Sequence, residues 1–181
     1  MLKKFTLLIT GILVLCIALL FGYAAFQSPD YVISREIKIN ASAEKIFPYL
    51  NNQRLAQEWG PWLEVDPTAR MTLIGPEAGV GSRTSWSGAK QLGTGSALVT
   101  ESVTNQRVHI RLEYTEPTAM TQESDYIIAP AGDQSLVTWR VTGKNSLLGR
   151  AMCLVIDMDK MVGGMFEQGL NKLKKVVENP K

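Results

Sequence analysis

MDKMVGGMFEQGLNKLKKVV, residues 158–177, is the stretch on which the fold turns. Within it Met158, Val162, Phe166, Leu170, Leu173 and Val177 recur every three or four residues, the spacing that brings side chains to one face of an α-helix. Lys172, Lys174 and Lys175 gather near its C-terminal end, where the helix dipole favours cations. Asp157 and Asp159 flank its start, where the dipole favours acids, and read as solvated or capping. A helix with one apolar stripe needs a surface to lie on, and the sequence ahead of it supplies strands. Six strand-like runs follow one another at 69–74, 82–88, 95–103, 107–115, 120–129 and 135–142, bounded by Gly, Pro or Asn turn signals. Before them Tyr31 to Ile39 alternates Val32, Ser34, Glu36 and Lys38 against Ile33, Arg35, Ile37 and Ile39. Asn40-Ala41-Ser42 then offers a cap to a short helix disturbed by Pro48, and a second short helix, Gln53 to Trp59, stops at Gly60-Pro61. Sequential strands with short turns and one long terminal helix predict an α+β domain, a curved antiparallel sheet of about seven strands around that helix. If the sheet curls away from the helix, the space between them is a pocket.

The N-terminus reads differently. From Phe5 to Phe26 roughly 22 residues carry no charge, enough for a helix of about 33 Å, which spans a hydrocarbon core. Lys3 and Lys4 with Gly22-Tyr23-Ala24 also fit a cleaved secretory signal, but the run exceeds the usual h-region of about 7–15 residues, so it reads as an uncleaved anchor. Lys3 and Lys4 before the span, and the uncharged Gln27-Ser28-Pro29 after it, place the N-terminus in the cytoplasm and the domain on the far side. In a bacterium that is the periplasmic face of the inner membrane. The expected organisation is an anchor at 1–26, a linker at 27–30 and one domain at 31–178.

Charge and cysteine content exclude several functions. Of 19 Lys and Arg only Lys3 and Lys4 precede Asp30, and all 17 Asp and Glu lie from Asp30 onward, so the body has no net charge and nucleic acid is excluded as an expected partner. One His and two Cys leave no metal-ligand cluster in prospect. Cys153, between Met152 and Leu154, reads as a packed core residue. Gly79-Val80-Gly81 and Gly93-Thr94-Gly95 lack the third Gly and the helix of a dinucleotide fingerprint, so no cofactor is expected. His109 shares a strand face with Arg111 and Glu113 and reads as solvent-facing.

Hairpin register singles out one acid. A turn centred on Asn105-Gln106 pairs Val103 with Val108, Val99 with Leu112 and Ala97 with Tyr114, and puts Glu101 opposite Ile110 on the inner face. A carboxylate there has a raised pKa, as a general acid or base requires. A one-residue bulge or an odd-length turn would return it to water. In the last hairpin Ile128 pairs with Val137, Tyr126 with Trp139, and Asp125 with Arg140 on the opposite face. Trp86, Tyr114, Tyr126, Trp139, Met158, Met161, Met165 and Phe166 are candidate cavity walls, or simple core if the sheet is not curved. Gln122 and Ser124 are the polar groups available to orient a ligand, and Trp59 and Trp62 bracket Gly60-Pro61 near an entrance.

The chain resembles the START-like, birch-pollen-allergen-like (SRPBCC) superfamily, and within it the polyketide cyclase/dehydrase and lipid-transport branch. The resemblance rests on Val32 to Ile37 leading to Ala43-Glu44-Lys45-Ile46-Phe47, on Trp59-Gly60-Pro61-Trp62, and on Gly79-Val80-Gly81 through Trp86-Ser87-Gly88. Gly95-Ser96, Thr100-Glu101-Ser102, Val137-Thr138-Trp139 and Met158 to Gly163 ahead of Phe166-Glu167 complete it. It implies a helix-grip fold with a hydrophobic or amphipathic small molecule held between sheet and terminal helix, and it carries over no catalytic residue. The expected function is a membrane-anchored binding module that meets the bilayer through residues 5–26. A cyclase or dehydrase using Glu101 with Tyr114 or Tyr126, and an interaction domain with a filled core, are the alternatives.

Overall fold

A computed structural model describes residues 2–88 and 92–179. The chain divides into two compact units, one of Met1–Tyr31 with Lys144–Met158 and the other of Val32–Gly143 with Asp159–Lys181. In chain order the elements are α1 (Leu2–Ala25), β1 (Asp30–Ile39), α2 (Ala43–Asn51), α3 (Gln53–Trp59), α4 (Trp62–Val65), β2 (Arg70–Ile74), β3 (Arg83–Ser87), β4 (Thr94–Val103), β5 (Arg107–Glu116), β6 (Met120–Ala131), β7 (Gln134–Lys144), α5 (Leu147–Cys153) and α6 (Met158–Glu178).

The larger unit carries a seven-stranded antiparallel sheet in the order β1-β7-β6-β5-β4-β3-β2, so β2 to β7 form a meander and β1 closes it beside β7. Period-two alternation holds in β1, where Ile33 and Ile39 are buried and Val32, Ser34, Glu36 and Lys38 are exposed. Along α6 the stripe read from sequence is the buried one from Phe166 onward, through Leu170, Leu173 and Val177, joined by Gly163 and Gly169. The short helices are placed by their ends. Asn52 Oδ1 accepts the Arg54 and Leu55 amides at 2.8 and 3.1 Å and starts α3. At Gly60, which ends α3, a Cβ would stand 3.0 Å from both the Ala56 carbonyl and the Trp62 ring. The backbone therefore turns tightly enough to bring Trp59 and Trp62 onto one cluster.

Four details differ from the sequence reading. A third short helix, α4, is a single turn and has no length over which to display a period. Ahead of α6 the structure adds a helix for which the sequence reading has no counterpart: α5 ends at Cys153, and a tight turn, closed by Val155 N to Met152 O at 3.0 Å and Ile156 N to Met152 O at 2.8 Å, precedes α6. Cys153 is exposed, not packed in a core. The last difference is the β4–β5 register. Val103 pairs with Arg107 around a turn in which Asn105 takes a φ of 60°, and a bulge between Val99 and Glu101 shifts the ladder again. Val99 thus faces Ile110, Ala97 faces Leu112, and Glu101 faces His109. The register of the last hairpin, including Tyr126 with Trp139 and Asp125 with Arg140, is the one expected.

In the smaller unit α1 packs against α5. Its 23 residues from Lys3 to Ala25 are long and apolar enough to cross a membrane.

Candidate functional site

The register arranges the inward-facing side chains in rows across the sheet. Val108, Tyr126 and Trp139 form one row, and Val99, Ile110, Ser124 and Val141 the next. Thr84, Ala97, Leu112, Gln122 and Gly143 form a third, and Trp86, Gly95, Tyr114 and Met120 a fourth. Burial falls along this series. The first two rows are fully buried. In the third, Thr84 is buried while Ala97, Leu112 and Gln122 are half-buried, and in the fourth Trp86 is buried, Tyr114 is half-buried and Met120 is 43% exposed.

Aromatic side chains close the buried end. Trp139, 1% exposed, stacks on Phe166 of α6 with ring centroids 4.1 Å apart and planes at 12°. Trp59 and Trp62 make T-shaped contacts with Trp139, ring centroids 5.6 and 5.7 Å apart, and Tyr126 is tilted against it at 5.3 Å. The two most buried indoles are satisfied: Trp139 Nε1 donates to Ser124 Oγ at 3.2 Å and Trp59 Nε1 to the Tyr49 carbonyl at 2.9 Å. Burial pushes the Tyr126 phenol well above its ordinary range. Helix α6 touches these rings with its own backbone, since a Cβ on Gly169 would lie 3.0 Å from Trp139 Cζ3 and 3.2 Å from Pro61 Cδ. This end of the interior is filled.

The other end is built around small residues. Trp86 packs directly against Gly95, where a Cβ would come within 2.6 Å of its ring, and makes a T-shaped contact with Tyr114, ring centroids 5.4 Å apart. Between this pair and the aromatic cluster the sheet presents Ala97, Leu112, Gln122 and Gly143, an apolar floor with one amide. Thr84, in the same row, donates to Gln53 Oε1 at 2.8 Å. Gln53 is buried, and its Nε2 has no hydrogen-bond partner among the described residues. A buried amide N–H without an acceptor is costly.

The residues expected at the site therefore separate. Trp59, Trp62, Ser124, Tyr126, Trp139 and Phe166 form the filled cluster, whereas Trp86, Tyr114 and Gln122 stand at the accessible rows. Met165 and Met158 are half-buried, Met158 in the smaller unit, and Met161 is 52% exposed. Gln53 and Thr84 went unnoticed in the sequence: Gln53 is merely the first residue of a short helix, and nothing local marks its side chain as buried.

Glu101 lies on the outer face, exposed, with Arg107 Nη1 at 3.3 Å. The desolvation that suggested acid–base chemistry is absent there. It joins a charged cluster in which Arg107 and His109 Nδ1 each approach Asp125 Oδ1 at 2.7 Å and His109 Nε2 approaches Glu123 at 3.2 Å. Burial works to raise the Asp125 carboxyl, but the hydrogen bonds from His109 and Arg107 outweigh it and hold the group below its ordinary value. Among the described residues no group of three or more His, Cys, Asp or Glu is placed to hold a metal ion.

A family model described as polyketide cyclase / dehydrase and lipid transport matches residues 31–178. Among solved structures the chain is similar to the Aha1 dimer from Colwellia psychrerythraea, with 20% identity, TM-score 0.60, and coverage of 83% of this chain and 98% of that one. It is also similar to norcoclaurine synthase from Thalictrum flavum in complex with dopamine and hydroxybenzaldehyde, with 15% identity, TM-score 0.60, and coverage of 85% and 90%. CalU16 from Micromonospora echinospora gives 12% identity, TM-score 0.53, and coverage of 83% and 86%. At these identities the likeness is one of fold. No curated protein matches the chain.

Proposed function

Because the chain belongs to the polyketide cyclase/dehydrase and lipid-transport family, we propose that its larger unit binds a hydrophobic or amphipathic small molecule on the accessible rows of the inner face. The observation that carries this reading is the burial gradient: an interior plugged by Trp59, Trp139, Tyr126 and Phe166 at one end, and an apolar floor of Ala97, Leu112 and Tyr114 left half-buried at the other. A small apolar patch bounded by a few directed polar groups is the usual form of a ligand site. Gln53 Nε2 is the donor that would fix a carbonyl or carboxylate oxygen of the ligand, and Gln122 is the second amide. The ligand is therefore apolar with one acceptor group, a description that fits a fatty acyl chain or an aromatic ketone.

The reading includes α1 as a membrane anchor, with Lys3 and Lys4 on the cytoplasmic side. The linker is residues 27–30 and the binding domain residues 31–178. No reaction is assigned, because Glu101 is ion-paired on the face opposite these rows. Native mass spectrometry of the detergent-purified full chain tests the proposal. Co-purified lipid or another apolar acid supports it, and an empty domain that also ignores added fatty acid speaks for an interaction module instead.

A further inference from the structure

The smaller unit exposes more large apolar side chains than a water-facing surface explains. Phe26 is 89% and Val155 74% exposed, and Leu148, Met152, Leu154 and Ile156 are exposed beside Val155 in the chain. Isolated exposed apolar residues are ordinary, but a contiguous set on a short helix and the turn after it is not. From Asn145 to Ile156 the one charged side chain is Arg150, and its Nη1 is already bound, donating to the Ala25 carbonyl at 3.1 Å and the Gln27 carbonyl at 2.9 Å. Those carbonyls belong to the end of α1, so Arg150 ties α5 to the level at which the apolar helix stops. Ala24 and Ala151, both buried, allow the two helices to approach. Asn145 N donates to the Pro29 carbonyl at 2.8 Å and Lys144 pairs with Asp30 at 3.5 Å, which holds the start of the segment as well. The turn is also suited to a dry environment, because the Leu154, Val155 and Ile156 amides are all spent on the carbonyls of Ala151 and Met152.

We propose that α5 and the turn Leu154–Ile156 form an interfacial lipid-binding element, which buries Leu148, Met152, Leu154, Val155 and Ile156 in the headgroup and upper acyl region of the bilayer that α1 crosses. This rests on α1 acting as an anchor. A bilayer around α1 ends where α1 ends, and the one charge within the element bound there, Arg150, keeps its guanidinium on the carbonyls at the end of α1. Amphipathic segments of this kind lie about 5–10 Å deep in the interface. The element commits the protein to sampling lipid at the membrane surface, not merely to being tethered near it.

Single-cysteine labelling of the full chain tests this. In a Cys16→Ser, Cys153→Ser background, Leu13→Cys, Val155→Cys and Asp133→Cys are each labelled with an environment-sensitive fluorophore and reconstituted into phosphatidylcholine–phosphatidylglycerol vesicles. The proposal expects the label at residue 155 to lose most of its emission to a lipid bearing a nitroxide near its headgroup and to resist aqueous iodide. The label at 133 should show the reverse, and the label at 13 should be quenched by a nitroxide deep in the acyl chain. Iodide quenching at 155 with lipid quenching at 13 leaves the anchor in place and overturns the interfacial element. Iodide quenching at 13 overturns the anchor and the element with it. A label at 155 that resists both quenchers is covered by protein, which overturns the proposal in favour of self-association.

Discussion

Arg35 of β1 lays its guanidinium over Gly163 of α6, with Asp159 at 2.8 Å and Glu167 at 2.7 Å. The three helix residues are four apart and so lie on one face, and a Cβ on Gly163 would collide with the guanidinium. One strand is thereby clamped to the helix by an ion pair seated in the notch that Gly163 leaves. Gly163→Ala is expected to destabilise the folded state by about 1–3 kcal/mol through overpacking. In an Arg35→Ala background the same change should be neutral or stabilising, because Ala outranks Gly in a helix by about 1 kcal/mol. Urea melts of the four combinations measure the coupling, and additive effects would show that Arg35 does not occupy the Gly163 notch.

Acid should loosen the clamp and the outer-face cluster together. The hydrogen bond from Arg35 holds the Asp159 carboxyl below its ordinary value, and Asp125 is held low as well by His109 and Arg107. A depressed folded-state pKa contributes stability that is present above the unfolded value, near 4, and lost as pH falls through the folded value. Stability at pH 7 should therefore exceed that at pH 3, and Asp125→Asn should flatten the acid limb. An unchanged limb in that variant would remove Asp125 from the account.

Phe166→Ala should cost about 3–5 kcal/mol, the loss expected for a large aromatic removed from a closed core, because Phe166 stacks on Trp139. Ligand affinity should change little, since the accessible rows lie elsewhere on the sheet. A small loss of stability accompanied by a large change in binding would place the ligand against Phe166 and move the site.

Glu101→Gln tests the outer-face assignment. With Glu101 exposed and its partner Arg107 at 3.3 Å, the change should lie within about 1 kcal/mol of neutral, as read from chemical melts at pH 7.

The architecture was legible because it rests on periodicity. Alternation in β1 and the stripe of α6 survive in the structure, and the last hairpin was readable because packing of Tyr126 on Trp139 and charge on Asp125 and Arg140 select the same register. Between β4 and β5 the two criteria parted. The apolar residues Val99, Ile110 and Leu112 fit either of two alignments, and the αL conformation of Asn105 with the bulge at Thr100 decided between them. Neither has an obligatory sequence signature, so the sequence leaves Glu101 open between the inner face and, through a bulge, the outer one, and the structure takes the second. The division of the interior was hidden for another reason. Aromatic residues suited to lining a cavity are equally suited to filling it, and it takes the tertiary approach of Gly169 and Phe166 to Trp139 to tell the plug from the floor. Gln53, whose partner Thr84 lies 31 positions away, is a tertiary contact with no local trace.

Gln53→Leu removes the unpartnered donor while keeping similar bulk, but it also takes the Oε1 acceptor from the buried Thr84 hydroxyl, so the two effects oppose each other and the net change in stability should lie within about 2 kcal/mol of neutral. Affinity for a fatty acid should fall, whereas affinity for the corresponding hydrocarbon should not. Equal losses for both would mean that the amide shapes the floor and does not bind the acceptor oxygen.

The most direct test of the central claim is titration of the full chain in detergent with a fluorescent fatty acid, comparing the natural protein with Ala97→Phe, which adds a ring to the half-buried floor. Binding by the natural protein that is abolished in Ala97→Phe, with the melting temperature preserved, is the predicted result. Undiminished binding in a folded Ala97→Phe protein would contradict it and show that no ligand occupies the inner face between Trp86 and Trp139.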